Sequence, residues 1–357
     1  MKAPVLFVLP VKGGSGGAHS VMQEAEAMWR MGQPVLVAAN SDNATCLRTA
    51  YADLPRISQH IEGFHGASGL KDLIGRIEPA IAVATTNQSV HTLCEAVKGS
   101  RGVRTAYYIQ DYEPFFYAAG SDDWRTAHAS YGLIPDMVHF AKTRWLQEVV
   151  QLNHDISVAK VSPSIDHDVY YPAIGREAGD DGEVFHVVTM LRPATPRRAP
   201  YRTVRILNAM ADRFGHKVKL SVFGCRPDDV SEHQLHLHPD VEILGVLGRA
   251  AVGDLFRCTD LFMDLSDFQA FGRTAIEAMS CGAMCIVPAH GGVHEYGVDG
   301  QNCFIVDTRY DARIMAAIDT VVAMTPDDRR RVRMNGITRG YDYSAEKAAL
   351  SELSVLM

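Results

Sequence analysis

Residues 260–282, DLFMDLSDFQAFGRTAIEAMSCG, hold one glutamate, Glu277, in a short helix that follows an apolar strand and a polar loop. Small Ala275 and Ala278 suit close packing of that helix, and Gly282 stops it. Backbone amides near Gly272 and Arg273 carry the partial positive charge of a helix start, a setting for phosphate. Glu277, about a turn further on, can accept two hydrogen bonds from a ribose diol. The next strand ends in a second glycine loop, Gly291-Gly292, with Glu295 behind it.

Three other stretches carry chemistry. In MLRPATPRRAPYRTVRIL (190–207), Arg192, Arg197 and Arg198 follow a strand on a loop stiffened by Pro193 and Pro196, and their guanidiniums can grip a diphosphate. Arg202 and Arg205 read instead as a solvated helix face. In YYIQDYEPFFY (107–117), Gln110, Asp111 and Glu113 end a strand among aromatic residues; carboxylates bond sugar hydroxyls and aromatic faces cover apolar sugar surface. In VKGGSGGAH (11–19), Gly14, Gly16 and Gly17 open a helix near residues 18–20 and let the backbone approach a substrate closely. This is not the Gly-x-Gly-x-x-Gly dinucleotide fingerprint, and VLVAAN ends without an acidic residue for a ribose, so a nicotinamide cofactor is not expected. His128, His139 and His154 read as structural histidines, and Asp166 and Asp168 as turn or cap residues.

The series Ser266, Phe271-Gly272, Glu277-Ala278-Met279, Gly282, Gly291-Gly292, Glu295 and Gly300 resembles the donor-binding half of GT-B glycosyltransferases, in particular retaining family 4. That family has two glutamates separated by seven residues; Glu277 matches the second, and Gln269 stands at the first, where the family's glutamate contacts the donor sugar. An amide there loses charge and keeps hydrogen bonding. Together with QDYEPFFY and RPATPRR, the segment GGVHEYGVDGQNC resembles the WsaF-type rhamnosyltransferases of bacterial surface-glycan assembly.

The resemblance implies transfer of L-rhamnose from dTDP-L-rhamnose to a saccharide or lipid-linked oligosaccharide acceptor, with retention of anomeric configuration. GDP-mannose or a UDP-sugar is the alternative donor. Arg192 and Arg198 would hold the diphosphate, with Arg197 a further substrate contact, and Glu277 would hold the ribose. Amides near Gly272, Gly291 and Gly292 would complete the cradle, and no metal is required. Asp111, or Gln110 beside it, would position the acceptor or stabilise positive charge near the reacting sugar. A nucleotide-sugar epimerase or hydrolase, or a non-catalytic nucleotide-sugar-binding subunit, would keep the same donor site.

These residues need a scaffold. Apolar runs at 5–11, 34–40, 80–86, 105–111, 137–143 and 157–163 alternate with helical stretches, as do a second series at 184–191, 217–224, 241–245, 260–266, 284–289 and 302–307. Such runs read as parallel strands covered on both faces. The expected fold is therefore α/β, two doubly wound, Rossmann-like domains facing a cleft, with ligands beyond the carboxyl strand ends. We expect an acceptor-side domain over 1–172, a linker over 173–183, a nucleotide-sugar domain over 184–335, and a helical segment over 336–357 returning to the first domain.

With 357 residues, a formal charge of -7 and a pI near 6.1, the chain fits two hydrophobic cores and not a nucleic-acid binder. The seven cysteines are scattered and suit a reducing cytoplasm, and no metal-ligand constellation, P-loop or nucleophile elbow is present. No apolar run is long enough to span a bilayer, so any membrane contact is expected to be peripheral.

Overall fold

A computed structural model describes residues 2–14, 16–99, 102–173 and 184–357. It divides into two compact units, 1–164 with 343–357, and 165–342.

The first unit holds a seven-stranded parallel sheet: β1 (Val5–Val8), β2 (Val35–Asn40), β3 (Ile61–Phe64), β4 (Ile81–Ala84), β5 (Arg104–Ile109), β6 (Val138–Ala141) and β7 (Ala159–Lys160), in the order β3-β2-β1-β4-β5-β6-β7. β1 and β4 are buried on both faces, as the near-continuous apolar runs require. The helix Gly16–Arg30 begins at Gly16, two residues earlier than the sequence suggests, and buries Ala18, Val21, Met22, Ala25 and Met28 against the sheet core. Thr86 and Ser89 form a reciprocal capping box that starts the helix Asn87–Val97 right after β4.

The second unit holds a six-stranded parallel sheet: β8 (Phe185–Met190), β9 (Val218–Phe223), β10 (Val241–Ile243), β11 (Leu261–Met263), β12 (Met284–Pro288) and β13 (Phe304–Val306), in the order β10-β9-β8-β11-β12-β13. Each sheet reverses direction of winding once, between β1 and β4 in the first unit and between β8 and β11 in the second. Beyond the carboxyl ends of strands at such a reversal, adjacent loops diverge and leave a crevice for ligands.

The unit boundaries fall elsewhere than at 172, 184 and 335. Residues 165–172 group with the second unit: Asp166 pairs with Arg249, and the Val169 carbonyl accepts from Arg257 Nη1 at 2.9 Å. The expected linker lies, from residue 174 to 183, outside the described residues. The helix Pro326–Gly340 runs across the expected boundary at 335 and groups with the second unit, whereas the helix Ala345–Leu356 groups with the first. Arg104 Nη1 donates to the Leu356 carbonyl at 2.9 Å, and the backbone N–H of Ser162 donates to Ser351 Oγ at 2.8 Å. These bonds tie the chain's last helix to β5 and to the segment after β7.

Candidate functional site

In the second unit, the loops leaving β8 and β11 flank the winding reversal. The first is the arginine loop. Arg192 donates from Nη1 to the Gly224 carbonyl at 3.1 Å. Arg198 Nη1 lies 3.6 Å from Asp264 Oδ2, and the Arg197 guanidinium lies over the Phe268 ring, 5.5 Å from its centre. Arg202 is drawn inward as well, donating to Asp267 Oδ1 at 2.8 Å and to the Leu265 carbonyl at 3.0 Å, so it is no free surface cation. Arg205 is exposed and paired with Asp311.

The second loop carries Asp264, Ser266 and Gln269, each buried. Asp264 Oδ1 accepts from the backbone N–H and the hydroxyl of Ser266 at 3.1 and 2.5 Å, and Oδ2 accepts from Gln269 Nε2 at 2.7 Å. The Gln269 backbone joins the loop after β12 through a parallel bridge to Gly291, with Gly292 N–H donating to the Gln269 carbonyl at 2.8 Å. A Cβ on Gly291 would sit 2.0 Å from that carbonyl oxygen, so close approach of two backbones accounts for this glycine. Phe271 packs edge-on against Tyr296, whose hydroxyl donates to the Gly272 carbonyl at 3.3 Å. The Glu295 carbonyl accepts from Arg339 Nη2 at 2.6 Å.

Glu277 is not on the surface of its helix, Arg273–Ser280: its side chain is 7% exposed, and Oε1 accepts from Arg273 Nε at 2.7 Å. Burial pushes its carboxyl up, while Arg273 and then Arg249 pull it back. Among the described residues no further hydrogen bond engages this carboxylate.

In the first unit, the loops after β1 and β5 carry the remaining candidates. Gly14 meets nothing within 4 Å where a Cβ would stand, and the Cβ position of Gly17 lies 3.6 Å from Gln110 Cγ. Gly16 is the first residue of its helix, and its carbonyl accepts from the Ser20 hydroxyl at 3.1 Å. Asp111 Oδ1 accepts from the Tyr112 backbone N–H at 2.9 Å.

Glu113 departs from the expected sugar contact. It is 8% exposed, and its carboxylate accepts from the backbone N–H of Asn87 at 2.9 Å, from the Asn87 side chain and from the Tyr107 hydroxyl at 3.1 Å. It therefore closes the start of the helix Asn87–Val97. Burial, opposed by those hydrogen bonds, pushes its carboxyl from 4.5 up to about 7. Between those values the unfolded chain releases the proton and the folded chain keeps it, so this contribution to stability is complete below 4.5 and is lost as pH rises through 7. Relative to Glu113→Gln, the wild type should lose on the order of 3 kcal/mol over that window, measured by urea unfolding at a series of pH values. A constant difference between the two proteins would exclude this assignment.

The aromatic residues around Glu113 divide. Tyr107, Tyr108 and Tyr112 are buried, whereas Phe115 and Phe116 are 48% and 42% exposed. His154 stacks on Tyr131 and lies against His128, and burial lowers it to about 4; His139 bonds the Tyr131 carbonyl at 2.9 Å. His154 and His139 are thus engaged within the first unit's own packing. Asp166 does more than make a turn, since it also pairs with Arg249.

The sequence reading missed Lys142 and Asp264. Lys142 leaves β6 with its side chain 7% exposed, donating to Ser20 Oγ and to Gln110 Oε1, the latter at 3.2 Å, with Glu24 Oε1 at 3.8 Å. It thereby fixes the Gln110 amide with Nε2, a buried donor that has no partner, on the other side. The legible signal was a lone charge at the carboxyl end of an apolar strand: FAKT for Lys142, FMDLS for Asp264. Among the described residues no group of acidic, histidine or cysteine side chains forms a metal cluster, and no helix is long and apolar enough to cross a membrane.

Known proteins resemble this chain in part of its sequence and in its fold. Residues 201–339 match the family model Glycosyl transferases group 1. The O-antigen biosynthesis protein RfbC of Myxococcus xanthus is 26% identical over 235 residues, 66% of this chain and 17% of that protein. The D-inositol 3-phosphate glycosyltransferase of Stackebrandtia nassauensis is 24% identical over 192 residues, 50% of this chain and 43% of that one. The chain thus spans less than half the length of these curated relatives. Among solved structures, Anabaena HepE in complex with UDP and glucose superposes with a TM-score of 0.79 at 18% identity over 99% of both chains. Sucrose-phosphate synthase of Thermosynechococcus elongatus does so with a TM-score of 0.78 at 15% identity, over 99% of this chain and 98% of that one. The likeness is one of fold: two parallel-sheet, Rossmann-like domains of the GT-B glycosyltransferase type.

Proposed function

From the glycosyl transferases group 1 match in its second unit, we propose that this chain is a retaining glycosyltransferase of family 4. In this reading it moves a sugar, L-rhamnose from dTDP-L-rhamnose, onto a saccharide or lipid-linked acceptor in bacterial surface-glycan assembly. The observation that carries the reading is the gathering, at the winding reversal of the second sheet, of Arg192 and Arg198 on one side and Asp264, Gln269 and the start of the Glu277 helix on the other. Cationic groups at the end of a parallel sheet suit a diphosphate, whose charge grows as the glycosidic bond breaks.

The arginines and the amides near Gly272 would stabilise the leaving diphosphate, and Glu277 would accept from the ribose. A donor phosphate oxygen would take the acceptor's proton during same-face attack, a route that asks for no enzymic nucleophile. On the first unit, Asp111 and the Gln110 amide held by Lys142 would position the acceptor. The reading calls for no metal, and places the protein in the cytoplasm, with any membrane contact peripheral.

The O-antigen protein among the relatives agrees with surface-glycan assembly. A UDP-sugar is the second donor reading, favoured by the UDP-glucose complex of Anabaena HepE. Calorimetric titration with dTDP, UDP and GDP, first without and then with magnesium, separates these. Saturable binding of dTDP supports rhamnosyl transfer, UDP the second reading, and GDP a mannosyl donor. Binding of none overturns the donor site, and consumption of a nucleotide sugar without acceptor dependence would identify a hydrolase or epimerase instead.

A further inference from the structure

The Asp264 carboxylate is 6% exposed and only accepts hydrogen bonds. The Gln269 atom 2.7 Å from Oδ2 must therefore be the amide nitrogen, which also lies 3.0 Å from Ser266 Oγ. This fixes the orientation of the amide. The atom left over is Oε1, an acceptor, and among the described residues no donor reaches it.

We propose that Asp264 is a positioning residue that holds Gln269 with Nε2 inward and Oε1 presented, making Gln269 a neutral acceptor for a hydroxyl of an uncharged donor sugar. The ligand half of this statement rests on the glycosyltransferase reading above; the Asp264–Gln269 pair does not. A glutamate at 269 would set a second carboxylate oxygen 2.7 Å from Asp264 Oδ2, an oxygen that also has the Arg198 guanidinium at 3.6 Å; one cation does not balance two buried carboxylates, so the pair would hold a shared proton. Glutamine is thus the residue compatible with Asp264, with the negative charge of the loop carried at 264. Oε1 accepts from a hydroxyl and has no hydrogen to offer an ionised carboxylate, so the class of ligand is a neutral hexose and not a uronate.

A charge-exchange cycle tests this with wild type, Gln269→Glu, Asp264→Asn and the double variant. Thermal melting is followed from about pH 5 to about pH 8, and UDP-glucose, GDP-mannose and dTDP-L-rhamnose are each titrated against their nucleoside diphosphates. Gln269→Glu should melt progressively lower as pH rises, because its shared proton raises a carboxyl pKa and is lost at high pH. In the double variant the amide now at position 264 donates to the carboxylate now at position 269, which should restore the wild-type pH profile. The affinity gained from the sugar, over the diphosphate alone, should fall about tenfold in Asp264→Asn and recover in the double variant.

A Gln269→Glu protein with the wild-type pH profile, or a double variant no better than the worse single one, overturns the pairing. An unchanged sugar increment in Asp264→Asn overturns the positioning role. If wild type binds none of the three nucleotide sugars, the glycosyltransferase reading and the hydroxyl contact fall together, while the melting cycle still decides whether Asp264 holds Gln269.

Discussion

Gly291→Ala is expected to destabilise the second unit by about 4 kcal/mol or more, an unusually large effect for adding one methyl group. Gly291 has φ 109° and ψ -154°, a region almost closed to residues with a Cβ, and the added carbon would lie 2.0 Å from the Gln269 carbonyl oxygen and 2.8 Å from its carbon. Neither neighbour is a flexible side-chain end that can swing away. The loop must separate from residue 269, losing the bond from Gly292 N–H to the Gln269 carbonyl and the one from Gln269 N–H to the His290 carbonyl. Gly300→Ala is the control, since φ there is also positive at 69° but a Cβ meets nothing within 4 Å. It should cost about 1 kcal/mol for the backbone conformation alone. Urea unfolding of both variants separates collision from conformation, and equal losses would mean that the two loops are not in contact.

That contact shows why the site was harder to read than the fold. Every strand expected from an apolar run has a counterpart in the two sheets, shortened at its ends, because burial on both faces leaves a signal that needs no partner to be recognised. β3 was missed. It is an edge strand, IEGF, in which Ile61 and Phe64 are buried while Gly63 is exposed, so its sequence holds too few apolar residues to register. The glycine pair 291–292 was visible as a loop, but its reason, the backbone of a residue 22 positions earlier, exists only once the strands are aligned.

Side-chain roles were read worst where charge is buried. A glutamate beside aromatics at a strand end has the composition of a sugar contact, yet the Glu113 carboxylate closes the start of a helix that precedes β5 in the chain. At Gln269 the sequence shows an amide that keeps hydrogen bonding without charge, but not Asp264, the partner that takes its nitrogen. The two units solve a similar problem with opposite charges: Lys142 takes the carbonyl of Gln110 and leaves a donor, and Asp264 takes the nitrogen of Gln269 and leaves an acceptor. An amide has both functions, and the buried charge beside it decides which one is left over.

Glu277→Ala is expected to have the largest effect on donor binding, and its stability cost must be separated from that effect. The Glu277 and Arg273 side chains are 7% and 11% exposed, so truncating the acid breaks a buried ion pair, at a cost of about 3–5 kcal/mol. Glu277→Gln keeps an oxygen for Arg273 Nε and should lose less, which makes it the better probe of function. In the proposed donor site its second oxygen accepts from the ribose; in Glu277→Gln, with the amide oxygen kept by Arg273, an NH2 donor stands there instead, which should weaken nucleoside diphosphate binding by about 1.5–3 kcal/mol, roughly 10- to 150-fold. Inorganic pyrophosphate, which has no ribose, should bind wild type and Glu277→Gln alike. Titrating both proteins with pyrophosphate and with the nucleoside diphosphate that wild type prefers gives the decision. A loss confined to the nucleotide places Glu277 on the ribose, a loss of both means that the helix start has moved, and no loss leaves Glu277 and Arg273 as an internal ion pair that holds the helix and touches no donor.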